Sequence, residues 1–398
     1  MFFEQVPEGA PDPVFGLLGA FNEDPRPHKL SLMVGTYKDP FLRNTMLPVL
    51  REVQKKKQLL DEFADYLPID GSPEFCDLIG ELCFGQSIWK KIGERVYSTQ
   101  SVGGTGALRV GADFIAREVG RTIWIPQPTW PNHRTVFERA GFTVQNLPYY
   151  DSKSHSFNRE GYFGAIRALA PKSVVLFHTS CHNPTGCDPS HRDWNELADL
   201  CQERELLPFF DTAYQGFGLG IEQDTYPVRH FAEKGLDFLV AYSCSKNFSL
   251  YCQRVGALFV VTSNPSIQSK VGSQVKRIIR SLYSNPPAHG ALMVAEILKN
   301  REWNGIWRDE VDEMRSRISS MREKLIEKIE AKSRSIDFSF IRNHKGMFSY
   351  LDLSKNQVDR LIEEFGVYTL DSGRINVAGL NEQNIDYFVE SLLNVCAT

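Results

Sequence analysis

The chain has 398 residues, too many for one small core, and its 42% of hydrophobic and 24% of charged residues are typical of a globular protein. Its 49 acidic and 45 basic residues give a net charge of −4, which excludes the strong positive field of a protein that binds nucleic acid or anionic membranes. Apolar runs such as residues 257–261 are too short to span a bilayer, and residues 1–8 lack the basic and apolar regions of a secretory signal.

The first predicted elements are an N-terminal arm and a central region in which strand-like and helix-like segments alternate. Residues 7–13 are rich in proline and suit an arm better than a core. Short apolar runs, of the kind found in strands buried on both faces, then alternate with helix-like stretches. These runs are residues 122–125, 173–177, 206–210, 238–242 and 257–261. The alternation predicts an α/β domain around a largely parallel sheet.

The pattern changes after residue 300. Residues 301–331 predict one long, charged helix, whose apolar side chains at helical spacing are Ile306, Val311, Met314, Ile318, Met321, Leu325 and Ile329. A strand-like run at 347–351, a helical stretch at 356–365 and a final helix from Asn381 follow. We expect a smaller C-terminal unit, joined to the central domain by the long helix.

The cysteines bear on the compartment of the protein. The eight of them lie at positions 76, 83, 181, 187, 201, 244, 252 and 396. So thin a distribution does not resemble the disulfide framework of a small secreted protein. We therefore expect a reducing, cytoplasmic setting.

Candidate functional residues follow the apolar runs, because ligands of open α/β sheets bind at the carboxyl ends of the strands. Residues 101–109 read Ser-Val-Gly-Gly-Thr-Gly-Ala-Leu-Arg and lead into a helix-like stretch. Free N–H groups at a helix N-terminus suit a phosphate, although an ordinary glycine-rich turn is the alternative. The glycine spacing fits neither the dinucleotide fingerprint nor the P-loop.

Asp211 and Tyr214 follow the run at 206–210. A buried carboxylate is costly unless it meets a cation, and a protonated pyridine nitrogen would be such a partner. Tyr214 could then hydrogen-bond the phenolate oxygen of the cofactor that carries this pyridine ring. The alternative is that Asp211 caps the next helix.

Lys246 follows the run at 238–242 and is preceded by two serines. Burial and cationic neighbours would lower its pKa and make the amine nucleophilic enough to form a Schiff base. Arg254, eight residues further on, suits a phosphate clamp. Single residues of these types are more often plain surface charges.

Residues 178–187 combine histidines and cysteines with an Asn-Pro-Thr-Gly turn. A metal site is one interpretation, but zinc sites usually need a second, well-spaced ligand pair, and the sequence has none. We therefore expect no metal, and we interpret the segment as a rigid turn that directs Asn183 into a site.

Together these motifs resemble those of class I aminotransferases. The shared motifs are Ser243-x-Ser-Lys246-x-Phe with Arg254, Asp211-x-x-Tyr214, and His182-Asn-Pro-Thr-Gly186. Three further segments resemble the subgroup that acts on aspartate and aromatic amino acids: Pro-Thr-Trp-Pro-Asn-His at 128–133, Tyr-Ser-Asn-Pro-Pro-Ala-His-Gly at 283–290, and Ser-Gly-Arg-Ile-Asn at 372–376. The resemblance runs in unbroken order from about residue 34 to the C-terminus.

The resemblance implies fold type I of the pyridoxal-phosphate (PLP) enzymes, an α/β fold. A large domain, residues 46–312, would hold a mostly parallel sheet flanked by helices. A smaller α/β domain would combine residues 13–45 with 313–398, and residues 1–12 would form the arm. Related enzymes also have cis bonds beside the cofactor, so we predict cis peptides at Gln127–Pro128 and Asn183–Pro184.

The resemblance further implies how the cofactor is held. Lys246 would bind PLP as a Schiff base and move the proton, Asp211 would pair with the pyridine nitrogen, and Trp130 would stack on the ring. Asn183 and Tyr214 would hydrogen-bond the ring oxygen. The residues expected at the phosphate are Gly104, Thr105, Ser243 and Arg254, joined by Tyr66 of a second subunit.

The implied substrates are amino acids and 2-oxo acids. Arg374 would bind the α-carboxylate, with Gly35, Trp130 and Asn183 also in contact with the substrate. Arg280 of a second subunit would bind the distal carboxylate. The active unit would therefore be a homodimer with shared sites.

Three positions depart from the family pattern. Gly103 stands where many eukaryotic relatives have serine, Pro131 replaces a glycine after the tryptophan, and Ser249 replaces a glycine after the lysine motif. None of these changes removes a reacting group. They could change the geometry of the loops around Trp130 and Lys246.

The activity implied is transfer of the amino group of L-aspartate to 2-oxoglutarate by a ping-pong mechanism, giving oxaloacetate and L-glutamate. The alternative is an aromatic amino-acid transaminase of the same subgroup, since those enzymes also keep both arginines. A third interpretation is a non-catalytic PLP-binding module. Lys246, Arg280 and Arg374 argue against it.

Overall fold

The protein is described here by a computed structural model that covers residues 2–9, 12, 14–56 and 65–397. Its strands are Leu30–Ser31 (β1), Val96–Val102 (β2), Thr122–Gln127 (β3), Thr143–Pro148 (β4), Tyr150–Asp151 (β5), Ser156–Phe157 (β6), Val174–His178 (β7), Leu207–Thr212 (β8), Phe238–Ser243 (β9), Val255–Val261 (β10), Phe348–Tyr350 (β11), Val367–Tyr368 (β12) and Arg374–Asn376 (β13).

The α-helices alternate with these strands along much of the chain. They are Phe15–Glu23 (α1), Pro48–Lys56 (α2), Pro73–Phe84 (α3), Gln86–Ile92 (α4), Gly103–Glu118 (α5), Pro131–Arg139 (α6), Arg159–Arg167 (α7), His191–Glu203 (α8), Tyr226–Glu233 (α9), Pro265–Leu282 (α10), His289–Lys299 (α11), Arg301–Lys332 (α12), Lys355–Phe365 (α13) and Ile385–Cys396 (α14). No described helix is long and apolar enough to cross a membrane.

Seven strands form the central sheet, in the order β2-β10-β9-β8-β7-β3-β4. The pairs from β9 through to β4 are all parallel, and only β10 runs antiparallel to its two neighbours. The prediction of a largely parallel α/β sheet is therefore confirmed. The small pairs β1-β12, β11-β13 and β5-β6 lie outside this sheet.

Apolar clusters cover both faces of the sheet. Phe209 of β8 belongs to one cluster and its neighbour Phe210 to the other, because successive side chains of a strand point to opposite faces. The residues of β7, β9 and β10 are all buried, as expected for strands with helices on both sides. The predicted apolar runs thus became central strands.

Two sequence predictions need correction at the C-terminal side. Ile306 is 41% exposed, and the N-terminal part of α12 instead buries Trp303 and Trp307. The final helix begins at Ile385 rather than at Asn381. The side-chain oxygen of Asn381 accepts the N–H groups of Gln383 and Asn384, so it holds a turn ahead of the helix.

Candidate active site

A cavity of about 350 Å³ lies at the carboxyl ends of β7, β8 and β9. Its lining includes all but two of the predicted site residues, namely Gly35, Gly104, Thr105, Trp130, Asn183, Asp211, Tyr214, Ser243, Lys246, Arg254 and Arg374. Residues from seven separate parts of the sequence therefore meet in one place, and five of these parts end or follow strands of the central sheet, as its largely parallel topology predicts.

Tyr66 and Arg280 are the two predicted site residues that do not line this cavity. Tyr66 is 86% exposed, and Arg280 lies exposed in the last turn of α10. Their predicted roles placed them in the site of a second subunit. Those roles stay predictions.

The N-terminus of α5 forms a tight, positively charged cradle. Gly103 has φ +66°, and a Cβ on it would lie 2.6 Å from Nη2 of Arg254. A Cβ on Gly104 would lie 2.9 Å from Cβ of Ser243. The first N–H groups of a helix lack intrahelical partners, so they and the guanidinium of Arg254 can bind an anion there. The backbone at position 103 therefore favours the glycine seen in this chain.

Asp211 lies within the last two residues of β8 and is buried. Burial raises the pKa of its carboxyl, but His133, His178 and Lys246 together outweigh that effect and hold the pKa below its usual value. The next helix, α9, begins only at Tyr226, so the helix-cap alternative for Asp211 is wrong. An ionised, buried carboxylate is suited to pair with a protonated ring nitrogen.

The carboxylate of Asp211 is the first member of a largely buried hydrogen-bonded chain. Its Oδ2 lies 2.9 Å from Nε2 of His133, and Nδ1 of His133 lies 2.8 Å from Oγ1 of Thr129. Oγ1 of Thr129 in turn lies 2.8 Å from Nε2 of His178. Burial, helped by the neighbouring His133, lowers the pKa of His178 to about 3 and keeps it neutral.

Sequence reasoning gave no role to His133, Thr129 or His178. His133 and Thr129 did stand in the segment 128–133 that carried the family resemblance, and His178 ends β7. A histidine at the end of a buried strand is the signal that could have suggested a site role. The ring of Trp130 meets that of His133 edge to face, with ring centres 5.2 Å apart.

Lys246 lies three residues beyond the end of β9, with Nζ 4.7 Å from the centre of the Tyr214 ring. Burial lowers the pKa of Lys246 to about 8; Arg254 and Arg374 act in the same direction, and Asp211 opposes them. Burial raises the pKa of Tyr214, which keeps its hydroxyl protonated. The site therefore holds an amine that is partly neutral near physiological pH, beside a phenol able to donate.

Arg374, on β13, is 3% exposed. Its Nη1 donates to Oδ1 of Asn183 at 3.0 Å, and its Nη2 donates to the carbonyl of Met33. Nε has no hydrogen-bond partner among the described residues. Burial lowers the pKa of Arg374 to about 10, still well above neutrality. A buried cation with a free donor fits a carboxylate ligand.

The ring of Phe348 leaves no room for a side chain at Gly35. A Cβ at Gly35 would lie 2.8 Å from Cζ of Phe348, closer than two carbon atoms can pack. The guanidinium of Arg374 lies over the same ring, 4.1 Å from its centre. Gly35 thus lets Phe348 support Arg374 from one side.

Local geometry explains one departure from the family pattern and disfavours another. Pro131 is the first residue of α6, a position at which proline suits the helix. Ser249 has φ +51°, a conformation that favours the glycine of its relatives.

The peptide bonds Gln127–Pro128 and Asn183–Pro184 are both cis, so the prediction of two cis bonds is confirmed.

These residues fit PLP. The cradle at Gly103, Gly104 and Arg254 suits its phosphate, Asp211 suits its ring nitrogen, and Lys246 suits its aldehyde. Among the described residues, no group of three or more His, Cys, Asp and Glu side chains is placed to hold a metal ion.

Comparisons with known proteins agree with this geometry. The chain matches the family of class I and II aminotransferases over residues 27–392. It is 45% identical to an aspartate aminotransferase of Pseudomonas aeruginosa over 397 residues, which cover 99% of each chain. An aromatic-amino-acid aminotransferase of the same organism is 43% identical over 399 residues, again 99% of each chain.

Solved structures give the same result. The crystal structure of an aromatic-amino-acid aminotransferase from Burkholderia pseudomallei, covalently bound to pyridoxal phosphate, superimposes with a TM-score of 0.96. The two are 42% identical, and the match covers 99% of each chain. Fold and site together define an α/β enzyme of aminotransferase fold type I. The chain belongs to the class I and II aminotransferases.

Proposed function

We propose that the protein is an aspartate aminotransferase. It transfers the amino group of L-aspartate to 2-oxoglutarate by a ping-pong mechanism, and it forms oxaloacetate and L-glutamate. The cofactor is PLP. The observation that carries this proposal is the buried cation Arg374, whose side chain lines the same cavity as Lys246. The 45% identity to an aspartate aminotransferase supports the choice of substrate.

The cofactor would be held by residues at the N-terminus of α5 and at the ends of β3, β7, β8 and β9 or in the loops that follow them. When bound, PLP supplies the electron sink that makes the Cα proton of an amino acid removable. Asp211 keeps a negative charge at the ring nitrogen, because its pKa lies below the usual value. Asn183 and Tyr214 would donate to the ring oxygen, and Trp130 would cover the ring. Gly104, Thr105, Ser243 and Arg254 would hold the phosphate.

With PLP bound, Nζ of Lys246 would take the proton from Cα of the substrate and deliver it to C4′ of the cofactor, the carbon that keeps the amino group; the reverse transfer would complete the second half-reaction. A pKa of about 8 leaves a useful fraction of neutral amine near pH 7.5, and it also makes the ammonium a fair proton donor. General acid–base transfer is most effective when the pKa lies near the working pH. Lys246 therefore serves in both directions of the reaction.

Arg374 orients the amino acid by its α-carboxylate. Its bond to Asn183 and its contact with Phe348 fix the plane of the guanidinium before the substrate arrives. A planar donor pair held in this way fits a carboxylate through two parallel hydrogen bonds. Arg280 of a second copy of the chain would bind the distal carboxylate, and Tyr66 of that copy would reach the phosphate.

The assembly, the domains and the compartment belong to the same proposal. The active unit is a homodimer, which is supported by Tyr66 and Arg280 being exposed on their own chain and absent from the lining of its cavity. Residues 46–312 form the large domain, and residues 13–45 with 313–398 form the small one. The cysteines are all free thiols, which suits the cytoplasm.

Transamination of aromatic amino acids is the second candidate activity. It is favoured by the 43% identity to an aromatic-amino-acid aminotransferase and by the TM-score of 0.96 with a second one. Trp130, Leu108 and Val34 give the cavity apolar walls that a phenyl ring could contact.

The deciding experiment compares kcat/KM for L-aspartate and L-phenylalanine, each with 2-oxoglutarate as acceptor, in one enzyme preparation loaded with PLP. We expect a clear preference for aspartate. A preference for phenylalanine would transfer the proposal to the aromatic activity. The absence of transamination with either substrate, in protein that binds PLP, would refute both.

A further inference from the structure

Asp188 binds the backbone just ahead of Asn183. Its carboxylate accepts the N–H of Cys181 at 2.7 Å and the N–H of His182 at 2.8 Å. Cys181 has φ +54°, a left-handed conformation that few residues other than glycine adopt. Two successive N–H groups around such a bend form a small anion-binding concavity, and here the anion is the side chain of Asp188.

The turn held by Asp188 carries Asn183 into the cavity. The N–H of Gly186 closes the turn on the carbonyl of His182 at 2.7 Å, and the N–H of Lys345 donates to the carbonyl of Gly186 at 2.7 Å. Asn183 uses Oδ1 to accept from Arg374. Its Nδ2 is then left to face a ligand, so the position of this turn decides where that donor lies.

Asp224 plays the same part for the loop after Tyr214. Its carboxylate accepts the N–H groups of Gly216, Gly218 and Leu219 at 2.8, 2.9 and 2.7 Å. Asp224 is 3% exposed, so these bonds are not in competition with bulk water. The loop begins two residues after Tyr214, and its conformation therefore fixes the segment after β8 from which Tyr214 projects.

The two carboxylate-bound loops touch each other. A Cβ on Gly218 would lie 2.7 Å from Oδ1 of Asp224 and 3.1 Å from Sγ of Cys181. Both aspartates also line a second cavity of about 350 Å³, which shares no lining residue with the first. Neither carboxylate contacts the active-site cavity itself, although both are bonded to loops that form its wall.

We propose that Asp188 and Asp224 are positioning residues, which hold the two loops so that Asn183 and Tyr214 both direct their donors at the ring oxygen of the bound cofactor. The proposal rests on the proposed function, because it assigns that oxygen to PLP. It explains why two acidic side chains lie in a largely buried region where, among the residues that the structure describes, no arginine or lysine is bonded to either.

The ring oxygen supplies a readout independent of turnover. Donors from Asn183 and Tyr214 stabilise negative charge on this oxygen and weaken its hold on the neighbouring proton. Loss of one donor therefore raises the pH at which the visible absorbance of the bound cofactor titrates. A hydrogen bond of ordinary strength corresponds to a shift of about 0.5–1 pKa unit.

The test uses Asp188→Asn and Asp224→Asn in the PLP-loaded enzyme. A carboxamide oxygen can accept one of the backbone N–H groups, but its NH₂ opposes the next. We expect an upward shift of the spectral pKa by about 0.5–1 unit and a fall in kcat/KM of about 10- to 100-fold, as for a small misplacement of a reacting group. Asp199→Asn, an exposed acid on α8, is the matched control and should change neither.

A double-mutant cycle separates positioning from general support of the fold. If Asp188 acts through Asn183, Asp188→Asn should add little to the spectral shift already caused by Asn183→Ala. Asp224→Asn combined with Tyr214→Phe gives the second cycle. Additive shifts, unchanged spectra in folded variants, or failure of both aspartate variants to fold would each overturn the proposal. Wild-type transamination, measured alongside, tests the proposed function separately.

Discussion

Nε2 of His133 lies 2.9 Å from Oδ2 of Asp211, and both side chains are buried under the active-site cavity. Without a partner, a carboxylate in such a place would take up a proton, because burial disfavours its charge. His133, with smaller contributions from His178 and Lys246, outweighs the effect of burial and keeps the pKa of Asp211 below its usual value. Through Thr129 and His178 the same chain also fixes the orientation of the His133 ring.

This relationship predicts the effect of Asp211→Ala. The variant should fold but lose at least about 10²-fold in kcat, a typical cost of removing a pre-oriented electrostatic partner of the reacting group. His133→Gln keeps a hydrogen-bond donor near the carboxylate and is the milder control, for which we expect a smaller loss. The measurement is kcat for aspartate, with circular dichroism as the check on folding. An Asp211→Ala variant that keeps most of its activity would show that the carboxylate is only structural.

The difference between what the sequence predicted and what it missed has a physical basis. Asp211, Lys246 and Asn183 could be predicted because each follows a buried apolar run, and the ends of parallel strands meet at one edge of a sheet. His133 could not be given its role, because it is 78 residues from Asp211 and the pairing depends on tertiary structure. Asn381 was mistaken for the start of a helix because its turn and a helix cap use the same side-chain chemistry.

Lys246→Ala tests the proton transfer. The variant should still bind PLP, since Arg254, the N-terminus of α5 and Asp211 remain in place. Its transamination rate should fall by about 10²–10⁴-fold, the usual contribution of a general acid–base group. Single-turnover absorbance changes after mixing with aspartate are the measurement, and a small added primary amine should restore part of the rate. Near-normal turnover without added amine would refute the role of Lys246.

Shared active sites predict complementation between two defective chains. In a heterodimer of a Lys246→Ala chain with an Arg280→Leu chain, one site combines both defects and the other has neither. We therefore expect roughly half of the wild-type activity toward aspartate from the purified heterodimer, well above that of either mutant homodimer. Two different affinity tags isolate the mixed species. Activity no higher than that of the Arg280→Leu homodimer, or full activity from a strictly monomeric preparation, would contradict a shared site.

Arg280 should select dicarboxylic substrates. Two parallel hydrogen bonds from its guanidinium can meet a side-chain carboxylate, as Arg374 would meet the α-carboxylate. Hydrogen bonds to charged groups contribute about 1.5–3 kcal/mol, so Arg280→Leu should lower kcat/KM for aspartate on the order of 10- to 100-fold or more. Phenylalanine has no distal charge, and we expect little loss for it.

Arg277→Leu is the matched control, because Arg277 is an exposed arginine on the same helix, three residues before Arg280. It should leave the ratio of kcat/KM values for aspartate and phenylalanine unchanged, whereas Arg280→Leu should move that ratio toward phenylalanine. Steady-state kinetics with both amino acids, at several ionic strengths, measure the ratio. Equal losses for the two substrates in Arg280→Leu would mean that Arg280 supports the fold or the dimer, since a group that binds the distal carboxylate cannot affect a substrate that lacks one.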